Sequence, residues 1–186
     1  MTSGDSDGGA LTADRGSERT GGDRSDAFDA LVLSGYRSLA RMAYLMSGDS
    51  ATAEDVVAEA FARAWVPWQR GGVDDLGPYV RRTVVNLCLQ GQRRRFLERL
   101  ALERFRPRPD ATPGESADVV ADLVDVRRAL QALSAEHRAV VVLRFFADLS
   151  EHETAEVLQL PIGTVKSRTS RALKALRPVI GGTDHG

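Results

Sequence analysis

The chain contains few of the residues from which disulfide frameworks and metal sites are built. Cys88 is the single cysteine among 186 residues, and it lies in an apolar context. One cysteine excludes an internal disulfide framework and a paired-cysteine metal site, and it fits a reducing cytosol. No apolar run is long enough for a signal peptide or a membrane span. We therefore expect a cytoplasmic protein without membrane insertion, metal or cofactor.

Aromatic residues and net charge are also scarce, and both absences limit the functions open to the chain. Aromatic side chains make up 6% of the sequence, while alanine, leucine, valine and arginine dominate, which favours helices. The formal net charge is −1, so a nucleic acid would have to meet positive charge that is concentrated locally. His137, His152 and His185 are scattered, and no glycine-rich phosphate loop, H-E-x-x-H motif or nucleophile elbow occurs. We expect no enzymatic activity.

The stretch Ser150–Arg177 carries the most specific pattern in the sequence. Ser150 is followed three residues later by Glu153, which predicts a capping box at the start of a short helix. Pro161 and Gly163 interrupt the helical pattern, and a second helix is predicted from about Thr164. Two short helices joined by a tight break predict a helix-turn-helix.

The second of these helices has an apolar side and a cationic side. Val165, Ala172 and Leu176 recur at helical spacing, and no acidic residue occurs between Ile162 and Ile180. The other face carries hydroxyl and basic side chains, namely Lys166, Ser167, Arg168, Ser170, Arg171, Lys174 and Arg177. This composition favours a helix that reads the major groove of DNA. An ordinary amphipathic helix with a solvated basic face is the alternative.

The N-terminal half is predicted to be helical after a polar tail. Residues 1–25 contain almost nothing apolar, so we predict a disordered tail there. A first helix is predicted from Asp26, and a second follows the turn Gly48–Ser50. Asp74 or Asp75 can cap a third helix. Metal binding by these two acids is the weaker alternative, because the sequence offers no convergent partner.

Arginines accumulate in the third helical stretch. Between Arg81 and Arg108 there are nine arginines against two acids, Glu98 and Glu103. With an apolar face opposite, such a helix can pack on a core while it holds phosphates, and a solvated arginine face is the alternative.

A change of composition divides the chain into two small helical domains. Residues 106–118, RPRPDATPGESAD, predict a flexible linker between a domain at 26–105 and a second domain at 119–180, with a loose tail at 181–186. The predicted class is all-α, with the helix-turn-helix in the second domain. Residues 139–143, Phe145 and Phe146 are almost continuously apolar, so we expect them to be buried beneath it.

Both predicted domains resemble one family, the RNA polymerase sigma factors of the sigma-70 family and of the extracytoplasmic-function (ECF) type. In the first, AEDVVAEAFARAW is similar to the family's helix that docks on the polymerase clamp, and PYVRRTVVNLCLQGQRRR resembles the segment that melts and reads the −10 element. In the second, ALSAEHRAVVVLRFFADLSEHETAEVLQLPIGTVKSRTSRALKALR is similar to the −35-reading domain. Within this family, the resemblance suggests an actinobacterial, SigE-like subgroup.

The resemblance implies roles for particular residues. It implies that the −35 element is contacted by base-reading and phosphate-binding side chains, namely Lys166, Ser167, Ser170 and Arg171 for bases and Arg168 and Lys174 for phosphates. It implies that the melted −10 strand faces Tyr79, Asn86, Gln90, Arg93 and Arg94. It implies that the polymerase-binding helix carries Glu54, Asp55, Ala58 and Glu59. The implied partners are core RNA polymerase, promoter DNA and an anti-sigma factor.

The chain departs from the family pattern at several positions. Ala58 stands where glutamine is usual, and Gln90 stands where aspartate is common. Gln159 replaces the usual turn glycine, at a cost of about 1 kcal/mol if the position needs a positive φ. Thr154 and Thr169 replace larger apolar residues, which we expect to thin the second core.

The predicted function is to bind core polymerase, to recognise the −10 and −35 promoter elements and to direct transcription initiation. The family's two elements lie about 55 Å apart at about 3.4 Å per base pair. The linker at 106–118 reaches at most about 45 Å, so two domains with radii of gyration of roughly 12 Å can span that distance. The alternatives are a helix-turn-helix regulator that acts without core polymerase and a helical domain whose groove binds only a protein partner.

Overall fold

The chain folds into two adjoining helical halves. The computed structural model describes residues 15–103 and 124–180, with side chains described for 22–101 and 124–178. The helices in these ranges are α1 (Arg15–Ser47), α2 (Ser50–Gln69), α3 (Leu76–Glu103), α4 (Val124–Gln131), α5 (Ala135–Val141), α6 (Glu151–Leu158) and α7 (Ile162–Ile180), with a π-helical turn (Val142–Phe146) between α5 and α6. The predicted all-α class is confirmed. Over these ranges no helix combines the length and the hydropathy that crossing a membrane requires.

The first helix begins earlier than the sequence predicted. Since α1 starts at Arg15, the prediction of disorder is wrong for residues 15–25, and residues 1–14 lie outside the described residues. Arg24 supplies a physical reason, because its guanidinium donates to Trp68 O at 2.7 Å and lies 4.8 Å from the centroid of the Trp68 ring. The Trp68 indole N–H donates to Arg24 O, also at 2.7 Å. These polar contacts join α1 to α2 at Arg24.

α1, α2 and α3 form a three-helix unit around a common core. Phe28 meets Phe61 and Trp65 edge-on, with ring centroids 5.8 Å and 4.8 Å apart. Val57 of α2 and Val84 of α3 are fully buried in the same cluster, as their helical spacing predicts.

Aspartates cap the helices that follow the short connections of this unit. Asp49 Oδ2 accepts from the Thr52 backbone N–H at 2.7 Å, which starts α2. Asp75 Oδ1 accepts from the Gly77 N–H at 3.1 Å, next to the start of α3. Asp75 therefore serves as a cap. Within the described ranges no group of three or more His, Cys, Asp and Glu side chains could hold a metal ion.

α4 to α7 form the second half, and α6 and α7 are its helix-turn-helix. The capping box at Ser150 is confirmed, since its backbone N–H donates to Glu153 Oε2 at 2.7 Å while Ser150 Oγ accepts from the Glu153 N–H at 3.2 Å. α7 begins at Ile162, slightly before the predicted start at Thr164. Gln159 ends α6 with φ +53°, so the strain expected for a residue other than glycine applies here.

Two phenylalanines were predicted to be buried and are exposed. Residues 139–143 are buried as expected, but Phe145 is 53% exposed and Phe146 is 44% exposed. The helical repeat changes here, because residues 142–146 form a π-helical turn. The wider turn rotates these rings away from the direction that continued 3.6-residue periodicity would give them.

The two halves pack against each other. α1 contacts α4, α5 and the π turn, and α3 contacts α5 and α6. Leu130, Leu143 and Val157 belong to the same buried cluster as Met46 and Val84. The predicted linker at 106–118 and the start of the second domain at 119 lie outside the described residues.

Candidate nucleic-acid interface

α7 presents one apolar face to the core and one cationic face to solvent. Val165, Ala172 and Leu176 are buried against the second half. The exposed face contains Lys166, Ser167, Ser170, Arg171 and Lys174. The helix carries five basic residues and no acidic residue. An exposed positive face of this kind can approach the negatively charged groove of a DNA duplex.

The cations of α7 differ in how freely they can reach a phosphate. Arg168 Nη2 lies 2.6 Å from Glu136 Oε2, and only 23% of its side chain is exposed. Lys166 Nζ lies 3.6 Å from Glu151 Oε2. Arg171 and Lys174 form no ion pair with any described residue. The predicted phosphate contact of Arg168 would therefore require its ion pair with Glu136 to rearrange, whereas Lys174 is available as it stands.

The predicted −10 residues follow one stripe of α3. Tyr79 is half-buried and packs beside the core. Asn86 is half-buried, and Gln90 and Arg93 are exposed. Since these four residues are spaced by seven, four and three positions, they lie on one side of the helix. Exposure to solvent increases along the stripe, from the half-buried ring of Tyr79 to the exposed guanidinium of Arg93.

Arg94 differs from the other predicted −10 residues. Its Nε lies 2.8 Å from Glu98 Oε1, and this hydrogen-bonded pair raises the pKa of Arg94. The Arg94 side chain is 82% exposed, so the pair contributes little to stability. Arg94 remains accessible to a strand that approaches α3.

A cleft between the halves contains cations that the sequence did not bring together. It has a volume of about 670 Å³ and is lined by Arg93, Arg95 and Arg99 of α3 together with Arg138 and Arg168 of the second half. Glu136 is the one acidic residue in its lining. The arginine run was evident from the sequence, but its position opposite the second half depends on packing between residues far apart in the chain. The structure thus brings Arg93 and Arg168 into one cleft.

The residues predicted for polymerase binding share the outer face of α2. Glu54, Asp55, Ala58 and Glu59 are all exposed. The buried positions Val57, Ala60 and Ala64 lie on the other side of the helix. Glu59 Oε1 is 2.6 Å from Arg63 Nη2. This face carries the opposite charge to that of α7, and it is free for a protein partner.

Comparison with known proteins matches both halves to one family. The family model described as Sigma-70 region 2 matches residues 31–97, and Sigma-70 region 4 matches residues 129–178. The RNA polymerase sigma-E factor of Streptomyces avermitilis is 32% identical over 160 residues, which cover 84% of this chain and 87% of that protein. The ECF RNA polymerase sigma factor SigM of Mycobacterium tuberculosis is 35% identical over 171 residues, which cover 89% of this chain and 82% of that protein.

A solved structure has the same fold. The sigma factor RpoE of Bartonella quintana, crystallised with the anti-sigma factor NepR, superposes with a TM-score of 0.68 at 24% identity and covers 86% of this chain and 99% of that chain. Region 2 corresponds to α1–α3, and region 4 corresponds to the half that contains the helix-turn-helix. The chain therefore belongs to the ECF group of sigma-70-family RNA polymerase sigma factors, whose two domains serve promoter recognition in transcription initiation.

Proposed function

We propose that this sigma factor docks on core RNA polymerase through α2, reads the −10 element with α3 and reads the −35 element with α7. The observation that supports this division most strongly is the separation of three exposed faces on three different helices, an acidic one on α2 and two with basic residues on α3 and α7. The chain supplies recognition, and the polymerase supplies the chemistry, so the chain is not itself an enzyme. Its place of action is the cytoplasm, where the polymerase and the promoter are found.

At the −35 element, α7 is suited to the major groove of a duplex. Lys166, Ser167, Ser170 and Arg171 are the base-reading candidates, since they are exposed on one face. Arg171 is the strongest of them, because it has no acidic partner among the described residues and a guanidinium can bond a guanine edge with two hydrogen bonds. Lys174, one turn further, is placed to contact a phosphate and would add affinity without sequence preference.

At the −10 element, the stripe on α3 is suited to a melted strand. Tyr79 offers an aromatic ring, and Asn86 and Gln90 offer amides that can both donate and accept. Arg93 and Arg94 offer charge to the backbone of the strand. A single strand can be held by such a combination of stacking and cationic contacts. Gln90, at a position where the family commonly has aspartate, would change which base is preferred there.

The partners of the chain follow from the same assignments. Glu54, Asp55 and Glu59 give α2 an acidic outer face with Ala58 among them, suited to a basic surface of core polymerase. An anti-sigma factor is the proposed inhibitor, and the RpoE structure with NepR is the comparison that supports one. No cofactor or metal enters this mechanism.

Run-off transcription tests the proposed function directly. Purified core polymerase would be supplied with fragmented genomic DNA of the source organism, with and without the full chain. We expect new, discrete start sites that share two upstream elements. Absence of new starts, combined with tight and specific binding of duplex DNA by the isolated chain, would overturn the proposal in favour of a regulator that acts without polymerase.

Two substitutions on α7 separate base reading from phosphate binding. We expect Arg171→Ala to cost about 1–3 kcal/mol of binding at one base pair of the −35 element and to relax specificity there. We expect Lys174→Ala to weaken all promoters about equally and to lower the salt dependence by about one counterion. Holoenzyme binding to a set of singly substituted −35 sequences distinguishes them. A uniform loss for Arg171→Ala would contradict its assignment.

A further inference from the structure

The cleft between the two halves has an excess of positive charge. It is lined by three arginines of α3 and two of the second half, namely Arg93, Arg95, Arg99, Arg138 and Arg168. Among the described residues, Glu136 is the one acidic side chain in the lining, and it is already paired with Arg168 at 2.6 Å. An anion that carries several negative charges would offset this excess.

The arginines of α3 have donors to spare. Within the described ranges, Arg93, Arg95 and Arg99 form no ion pair, and Arg99 Nε donates to Arg95 O at 3.3 Å. Since Arg95 and Arg99 are four residues apart, they lie on the same side of α3, one turn from each other. Planar guanidinium groups match the oxygen atoms of phosphates, which they bind with two hydrogen bonds at once.

Arg138 contributes charge to the cleft rather than free donors. The buried guanidinium donates to Met46 O at 2.7 Å. It also donates to Leu130 O and Leu133 O, both at 3.0 Å. Burial, together with the nearby charge of Arg95, lowers the pKa of Arg138 to about 10, so Arg138 is charged at neutral pH and repels Arg95. An anion bound between α3 and α5 would reduce this repulsion.

The cleft also offers groups that suit the organic part of a ligand. Phe96 of α3 lines it, and the ring is accessible because the residue is 59% exposed. Gln92 Nε2 donates to Met46 O at 2.7 Å, which leaves Oε1 to accept a hydrogen bond. A nucleobase can stack on such a ring and bond such an amide. The volume of about 670 Å³ lies within the range of small-molecule sites.

We propose that this cleft binds a condensed phosphate, either a nucleoside polyphosphate or an inorganic polyphosphate, through the free guanidinium groups of Arg93, Arg95 and Arg99. The inference goes beyond the proposed function, because it needs only the charge and the shape of the cleft. A condensed phosphate is favoured over an acidic peptide, since it concentrates several charges in one place, whereas each carboxylate of a peptide carries one. The arginines of the cleft are concentrated in the same way.

Isothermal titration calorimetry of the full chain tests the proposal. The probes are ATP, GTP and inorganic tripolyphosphate without divalent cations, at about 0.15 M salt, so that weak surface attraction is screened. Sulfate at equal ionic strength is the reference anion. We expect saturable binding of one molecule per chain, about tenfold or more tighter than that of sulfate. If no probe binds more tightly than sulfate, the proposal is wrong.

Substitutions on α3 locate the binding site. We expect Arg95→Gln and Arg99→Gln each to weaken binding about tenfold, because each removes charge-assisted hydrogen bonds to the phosphates. Arg82→Gln is the matched control, since Arg82 is exposed on the same helix and is absent from the lining of the cleft. Circular dichroism would verify that helix content is equal in all variants. Equal losses in all three variants, or no loss in Arg95→Gln and Arg99→Gln, would overturn the assignment to the cleft.

Phe96→Leu distinguishes the two sources of the phosphate, because leucine keeps an apolar side chain and removes the aromatic ring. If the ligand is a nucleotide, ATP or GTP should bind more tightly than tripolyphosphate and should weaken several-fold in Phe96→Leu. If it is an inorganic polyphosphate, tripolyphosphate should bind at least as tightly as the nucleotides, and Phe96→Leu should not change its binding. Tighter binding of a glutamate-rich peptide or of single-stranded DNA than of any phosphate probe would overturn the proposal in favour of a macromolecular partner.

Discussion

Single residues in this chain show how burial sets the chemistry of a side chain. Cys88 is 2% exposed in the core of the first half, and burial raises its thiol pKa to about 12. Arg138 is buried as well, and burial lowers its pKa only to about 10, so it keeps its charge at neutral pH and donates to backbone carbonyl groups. The cysteine is therefore a small apolar core residue, whereas the arginine is a structural cation.

The raised pKa of Cys88 predicts a specific dependence of stability on pH. The ordinary thiol value is 9.0 and the folded value is about 12, so between these pH values the unfolded chain has lost a proton that the folded chain keeps. The free energy of unfolding is unaffected below about pH 9, and above it this residue lowers that free energy by up to about 1.4 kcal/mol per pH unit. In Cys88→Ala this contribution to the slope is absent.

Urea unfolding of both chains at pH 8 and pH 10 checks this prediction. We expect the wild type to lose more stability than Cys88→Ala over that interval, whatever their difference at pH 8. Iodoacetamide should modify native Cys88 only as fast as the chain unfolds. Parallel losses in the two chains, or rapid modification of the folded wild type, would show that the thiol is accessible.

At the scale of helices, local patterns in the sequence were sufficient to predict helix caps, but they were insufficient to predict how the helices pack. Ser150 was identifiable because a capping box depends on two residues three positions apart, and Asp75 was one of the two caps predicted for α3. The exposure of Phe146 could not be predicted from the sequence, since it depends on a π turn within an apolar run. The contact of Arg138 with Met46 joins residues 92 positions apart, and no local pattern indicates it.

The same limit applies to the start of α1 and to the candidate site. The helix extends back to Arg15, although the composition of that segment suggested a disordered tail, and the partner of Arg24 on α2 could not be inferred from that composition. For the site, periodicity correctly separated the exposed cations of α7 from its buried residues, such as Val165. Periodicity could not indicate that Arg168 is paired with Glu136, since that pair depends on how α7 lies against α5.

The turn between α6 and α7 carries a local strain that can be relieved. Gln159 has φ +53° and is exposed, so its side chain gains little from this position. We expect Gln159→Gly to raise the stability of the second half by up to about 1 kcal/mol, because glycine adopts a left-handed conformation without steric cost. Gln159→Ala serves as the control, since it removes the amide and keeps the strained backbone.

Chemical denaturation followed by circular dichroism would measure the free energy of unfolding of both variants. Promoter binding would verify that α7 keeps its orientation. The expected order of stability is Gln159→Gly first, with Gln159→Ala close to the wild type. If Gln159→Gly were less stable than the wild type, the freedom that glycine adds to the unfolded chain would outweigh the relieved strain.

At the scale of the whole molecule, the net charge is near neutral, but basic and acidic residues are distributed unevenly. The chain carries 25 basic and 26 acidic residues, yet the cleft between its halves has five arginines in its lining against one glutamate. Arg95 and Arg138 face each other closely enough that Arg95 contributes to the lowered pKa of Arg138. The packing of the halves is therefore a balance, in which the hydrogen bonds of Arg127 and Arg138 and apolar burial oppose repulsion between cations.

This balance predicts that salt stabilises the packing of the two halves. At low ionic strength the repulsion acts at full range, whereas at about 0.1 M salt charges are screened beyond about 10 Å, so we expect the free energy of unfolding, measured with urea, to rise as salt is added. The stability of Arg95→Gln should depend less on salt, because this variant removes a cation whose charge acts on Arg138 while it keeps a polar side chain. Arg94→Gln is the control, since Arg94 is absent from the lining of the cleft and pairs with Glu98. A wild type whose stability does not depend on salt, or an equal salt dependence in Arg95→Gln, would show that repulsion across the cleft does not oppose the packing of the halves, and that apolar burial dominates it.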